Sequence, residues 1–200
     1  AFLLLTGCGS GKSNIEDDLK EENAIMGRMM EEMDSARNTG SAELDFLHGM
    51  IPHHQSAVEM SKSYLEYAGK GGEFKGLAEN IISAQNKEID QMNTMIERFE
   101  KAESPDSDKE EAYLEEYRAM MDTHHSSHTA AETTDLEAAF AQGMSMHHQM
   151  AVDMAEIILK YTDDEELTRF ADNIVTQQEK EIDEMQSYLD KNTDSGSHEH

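Results

Sequence analysis

Along most of the chain apolar residues recur at steps of three and four, the spacing that lines one face of an α-helix. Ile15 to Arg37 carry Met26, Met29, Met30 and Met33 in this rhythm, and Asn38, Thr39 and Gly40 end it. Beyond that break one pattern occurs twice. Phe46 to Met60 read FLHGMIPHHQSAVEM, and Phe140 to Met154 read FAQGMSMHHQMAVDM, an offset of 94 residues. Further on, AENIISAQNKEIDQM (Ala78 to Met92) lies over ADNIVTQQEKEIDEM (Ala171 to Met185) at an offset of 93. Two matched blocks in the same order mark an internal duplication.

Each copy reads as helix, short break, helix. Gly69, Gly71 and Gly72 interrupt the first copy, while Thr162 with Glu165 offers a capping box in the second and Thr134 with Glu137 another at its start. A helical hairpin with one apolar stripe cannot bury that stripe alone. Hairpins 42–97 and 136–190 are therefore predicted to pack face to face as a four-helix bundle over residues 40–192, with pseudo-twofold symmetry. The fold class is all-α. It carries an extra N-terminal helix at 15–37 and a crossover at 102–133, with a helix expected from Lys109 to Met121 before the HHSSH run. Residues 1–14 read as a signal remnant and tether, and 193–200 as a disordered tail.

Composition adds to this pattern. Two prolines, no tryptophan and long windows of Glu, Ala, Met, Leu, Lys and Gln all favour helix over sheet. With 43 acidic against 16 basic residues the formal net charge is −27, which repels DNA and RNA from most of the surface. The simplest account of such acidity is a solvated surface. The 15 Met and 10 His are the unusual entries in the composition, since an average chain of this length carries about five of each.

The chain begins AFLLLTGCGSGKS, a short apolar stretch that reads as the end of a bacterial lipoprotein signal. On this reading Ala1 to Gly7 are removed and Cys8 carries lipid, placing the globular part outside the cytoplasm, in the periplasm or at the cell surface. Cys8 is the sole cysteine. An intramolecular disulfide and a zinc site built from several thiolates are therefore excluded.

Met50, His53, Ala57 and Met60 fall on one helical stripe, and Met144, His147, Ala151 and Met154 repeat it. His54 and His148 sit about 100° round from their neighbours, so one histidine of each pair is expected inward and the other near the edge. The second helices add Gln85, Glu88 and Met92, or Gln178, Glu181 and Met185. Thioether sulfur is a soft donor and imidazole a borderline one, so the combination suits copper(I) and silver(I), tolerates copper(II) and poorly suits magnesium or calcium. A methionine stripe at helical spacing is also ordinary core, and that reading fits the N-terminal Met26, Met29, Met30 and Met33 better than metal binding does. Burying four histidines without ligation or hydrogen bonds is costly, which favours metal for the repeated stripe. His48, Met146, Met150 and the loop histidines His124, His125 and His128 form a secondary set of candidate donors. Glu59 and Asp153, with Gln85, Glu88, Gln178 and Glu181, are candidates to orient the imidazoles.

The doubled signatures GMIPHHQSAVEM and GMSMHHQMAVDM, with QNKEIDQM and QEKEIDEM behind them, resemble the ferritin-like family known as domain of unknown function 305. The resemblance covers about residues 40 to 192. It implies a four-helix bundle in an exported protein that binds copper and silver and supports resistance to them. By position it implies metal roles for Met50, His53, His54, Met60 and Met92, and for Met144, His147, His148, Met154 and Met185. Met146 stands where the first copy has Pro52, so the resemblance does not imply equal sites.

The function expected from these readings is binding of soft metal ions by a lipid-anchored extracytoplasmic protein that buffers or transfers copper, without turnover. Its partners would be metal ions, the membrane through Cys8, and other exported copper-handling proteins. Two alternatives stay open: a metal-dependent oxidase of the bundle centre, and a metal-free module whose methionines grip a partner helix. The oxidase would call for Glu-x-x-His pairs, and no Glu stands three residues before any His.

Overall fold

The computed structural model describes residues 10–35, 38–102, 105–127, 133 and 135–194, and these form six α-helices. They are α1 (Ser10–Ser35), α2 (Ala42–Ala68), α3 (Lys75–Ala102), α4 (Ser107–Ser127), α5 (Leu136–Ile158) and α6 (Glu165–Asp194). The all-α fold with two helical hairpins, an N-terminal helix and a helical crossover is as the pattern predicts. Several boundaries differ. α1 begins at Ser10, inside the stretch read as a tether, because a nucleated helix gains a backbone hydrogen bond for each residue it adds. α4 continues to Ser127 and so carries His124 and His125 on a helix. α6 takes in residues 193 and 194 of the expected tail. Cys8, His128, Thr134 and residues 195–200 lie outside the described residues.

Local chemistry sets the helix ends. Ser41 caps α2, its hydroxyl accepting from the Leu44 amide. Gly69 ends α2 at φ +66°, a left-handed conformation that glycine adopts without a Cβ clash. At Gly72 a Cβ would lie 2.5 Å from the Tyr64 hydroxyl, so the turn closes only around a glycine. Aspartates cap both helices of the second copy, in place of the expected Thr162 at α6, while the expected Thr134 box lies outside the described residues. Asp135 caps α5 by accepting from the Glu137 amide. Asp164 accepts from the Leu167 amide at 2.9 Å, while Thr162, two residues before Asp164, accepts from the Asp164 amide. An ionised carboxylate at a helix start satisfies the free amides and also favours the helix dipole.

α2 and α5 lie against each other at the centre, α3 packs on α2, and α6 packs on α5. α1 covers α2, and α4 crosses both central helices. Two buried clusters form the core. One gathers Met50 and Met92 of the first copy with Met154 of the second; the other gathers Met144 and Met185 of the second with Met60 of the first. Exchanging the copies converts one set into the other, as a pseudo-dyad between α2 and α5 requires. Each methionine layer is therefore assembled from both hairpins. α3 and α6 flank a groove of about 600 Å³ whose lining includes Glu88, Met95, Arg169 and Phe170.

Candidate metal centre

All ten residues that the repeat singles out are interior: Met50, His53, His54, Met60, Met92, Met144, His147, His148, Met154 and Met185 are at most 1% exposed. Both histidines of each pair are fully buried, which corrects the expectation that one would lie near the edge. The reason is that each central helix has buried neighbours on two sides. His53 faces α5, where its ring lies 3.7 Å from that of His147. His54, turned about 100° away, faces α3, and His148 faces α6.

Hydrogen bonds from the imidazole Nε2 atoms fix which ring nitrogen donates in three of the four histidines. His54 Nε2 donates to Glu88 Oε2 at 2.8 Å, and His148 Nε2 donates to Glu181 Oε2 at 2.7 Å. His53 Nε2 donates to the backbone oxygen of His147 at 3.0 Å. A carboxylate or a carbonyl only accepts, so in the neutral ring Nε2 carries the proton and Nδ1 carries a lone pair. His147 is different. Its Nε2 lies 2.7 Å from the Ser56 hydroxyl, which can donate or accept, so either nitrogen can hold the lone pair. The Nδ1 atoms of all four histidines are buried without a hydrogen-bond partner. Burial, followed by repulsion from the neighbouring histidines, holds His53 and His147 well below the usual histidine pKa, so both are neutral at pH 7.

An unsatisfied polar atom in the interior costs about 1–3 kcal/mol. Four such atoms, each on a ring that is a good borderline donor, fit a cation better than they fit a dry core. A carboxylate on the far nitrogen of His54 and of His148 is also the arrangement that orients metal-bound imidazoles and raises their basicity. Among the described residues no three imidazole, thiol or carboxylate groups stand together as a ready-made cation site. A cation site here would need sulfur as well as nitrogen, and the two methionine layers hold buried thioethers.

The remaining candidates are dispersed. Gln85 and Gln178 are buried one helical turn before Glu88 and Glu181, each with an unpartnered amide atom. Glu59 is exposed and bonded to Arg28, and Asp153 accepts from His124 at 2.8 Å and from Gln149 at 2.9 Å. Neither hydrogen-bonds a buried imidazole, because both lie on the outer sides of α2 and α5. Burial pushes the Asp153 carboxyl up, but the bonds from His124 and Gln149 outweigh it and hold it below its usual value. Met150 is buried, His48, Met146 and His124 are half-buried, and His125 is exposed. The sequence reading missed Ser56. Its only signal there is that Ser56 aligns with Met150, the one position within HHQxAV where the copies differ.

Several solved structures share this architecture. CopM in its silver-bound form is 28% identical with a TM-score of 0.56, covering 76% of this chain and 96% of its own. CopM in its copper(I)-bound form gives 28% and 0.55 over the same shares. A DUF305 fragment from Deinococcus radiodurans, at 24% identity and a TM-score of 0.53, shares the fold over 75% of this chain and 96% of that one. An uncharacterized protein of Acanthamoeba polyphaga mimivirus is 42% identical over 52 residues, which are 26% of this chain and 34% of that protein. The chain thus spans about a third of that relative's length. The family model described as Domain of unknown function (DUF305) matches residues 9–96 and 43–189, and the chain belongs to that family.

Proposed function

We propose that this protein binds soft metal ions, copper(I) and silver(I), inside its helical bundle and serves as a buffer or carrier without turnover. The buried imidazoles of His53, His54 and His148, whose Nδ1 lone pairs lack any partner, carry this reading together with His147, which can offer either ring nitrogen. The likeness to CopM, which has been solved with silver, copper(I) and copper(II), supports it. Nitrogen comes from His53, His54, His147 and His148, and sulfur from Met50, Met92 and Met154 in one layer and from Met60, Met144 and Met185 in the other. Glu88 and Glu181 hold two of the rings in place. Acid favours release only well below the usual histidine range, because burial first and neighbouring histidines second hold His53 and His147 below it before protons can compete with the metal.

The proposal places the protein outside the cytoplasm, anchored through lipid on Cys8, where it lowers free ion near the membrane and passes ions to other exported copper-handling proteins. No described helix is long and apolar enough to cross a membrane. Mass spectrometry of the N-terminal peptide from membrane extracts tests the anchor: an unacylated Cys8 refutes it. Native mass spectrometry with copper(I), silver(I) and zinc(II) tests the binding. The wild type should retain the two soft ions in preference to zinc, and a variant with His53, His54, His147 and His148 changed to Ala should lose them. Equal metal counts in a folded quadruple variant would refute the site.

A further inference from the structure

Ser56 is buried, and its hydroxyl oxygen is a meeting point. It lies 2.7 Å from His147 Nε2, 3.0 Å from the sulfur of Met29 and 2.6 Å from the backbone oxygen of His53. A hydroxyl has one proton, and it cannot fully serve both the His53 carbonyl and the Met29 sulfur. The thioether is thus held in the interior, 2% exposed, close to an imidazole nitrogen and with at most a share of a weak hydrogen bond. Met29 comes from α1, which is outside the duplicated hairpins.

The register of the repeat gives this contact a meaning. At the position of Ser56 the second copy carries Met150, which is buried in the same cluster as Met29. The second hairpin therefore brings its own thioether to this level of the bundle, and the first does not. α1 lays Met29 at the place where the first copy lacks sulfur. An ion bonded to both thioether and imidazole needs sulfur and nitrogen on the order of 4 Å apart. Two donors that touch one oxygen reach that separation by side-chain adjustment, without moving a helix.

We propose that Met29 is a metal ligand, supplying a thioether from α1 to a soft monovalent ion that His147 holds through Nε2. This rests on the metal-binding reading above and makes α1 part of the binding unit. The Ser56 hydroxyl yields its place to the ion and keeps its bond to the His53 carbonyl. His147 then carries its proton on Nδ1.

The test uses the whole protein with Met29→Leu, which keeps volume and packing, and Met33→Leu as a control at another buried position on α1. Silver(I) affinity is measured by competition with a chelator, and the methionine methyl groups are followed by 13C NMR during silver titration. Met29→Leu should weaken at least one silver ion by no less than the roughly tenfold that losing even an outer contact costs, Met33→Leu should not, and the Met29 methyl resonance should move. Unchanged affinity in Met29→Leu with an unmoved Met29 methyl, while His147→Ala still loses an ion, would overturn the role of α1 and leave the central site standing. If the quadruple histidine variant also keeps every ion, the underlying reading fails with it.

Discussion

Replacing Glu22 with Gln should stabilise the protein, and the gain should grow with pH. Glu22 lies on α1, only 8% exposed, with its carboxylate against the backbone of Gly143 on α5 and one oxygen without a partner. Asp18, one turn earlier, is also buried and accepts from Ser63. Burial first, and the Asp18 charge second, push the Glu22 pKa up from 4.5 to about 8. The folded carboxyl is therefore protonated at neutral pH, whereas the unfolded one ionises above 4.5. Such a raised pKa contributes stability that is complete below the unfolded value and is lost as pH rises towards the folded value. At about 1.4 kcal/mol per pH unit, the loss is roughly 1 kcal/mol at pH 5 and roughly 3 kcal/mol at pH 7. Glutamine ionises in neither state, and its amide can donate to the unpartnered Asp18 oxygen. Urea unfolding of wild type and Glu22→Gln at pH 5 and pH 7, followed by circular dichroism, measures the difference. A gain equal at both pH values, or a loss at pH 7, would show that the carboxyl stays ionised and that α1 docks differently.

Three further outcomes follow from the same contacts. Glu88→Gln and Glu181→Gln keep an acceptor for Nε2 but remove the charge that strengthens the imidazole, so each should fold normally and weaken silver binding about 10–100-fold in a chelator competition; unaltered affinity in both would detach these carboxylates from the site. His53 and His147 are held below their usual pKa, so below about pH 6.5 the unfolded chain takes up protons that the folded chain refuses. In an Asp18→Asn, Glu22→Gln background, where the two α1 carboxyls whose pKa burial raises no longer oppose it, the metal-free melting temperature should drop between pH 7 and pH 5, and a flat profile would contradict neutral buried rings. At Gly49 a Cβ would meet the Met154 methyl at 3.5 Å and the Tyr117 hydroxyl at 3.8 Å, ordinary contacts. Gly49→Ala should therefore add about 1 kcal/mol through helix propensity, and destabilisation in thermal melts would mean that α2 and α5 pack closer than this.

Helical periodicity and the scarcity of β-branched runs determine the secondary structure, because local backbone preference and one-sided burial are properties of short windows. The duplication determines the pairing of hairpins, since two equal stripes each need a partner. The inward position of Met50, His53, Met60 and their counterparts follows from spacing alone. What spacing leaves open is how many neighbours a helix has. α2 meets α5 on one side and α3 on another, so His53 and His54 are both interior although they point about 100° apart. A single-stripe reading puts one of them at the edge.

Partner choice among buried residues was likewise decided by the tertiary structure. Nothing in the order of residues says that Met154 joins Met50 and Met92, or that Glu88 rather than Glu59 reaches a histidine; these depend on how α2 and α5 cross. The contact of Met29 with Ser56 joins a helix outside the repeat to the one position where the copies differ. Sequence supplied the donors and their periodicity, which are local. Their grouping into one interior is a matter of helix packing, which only the assembled chain can fix.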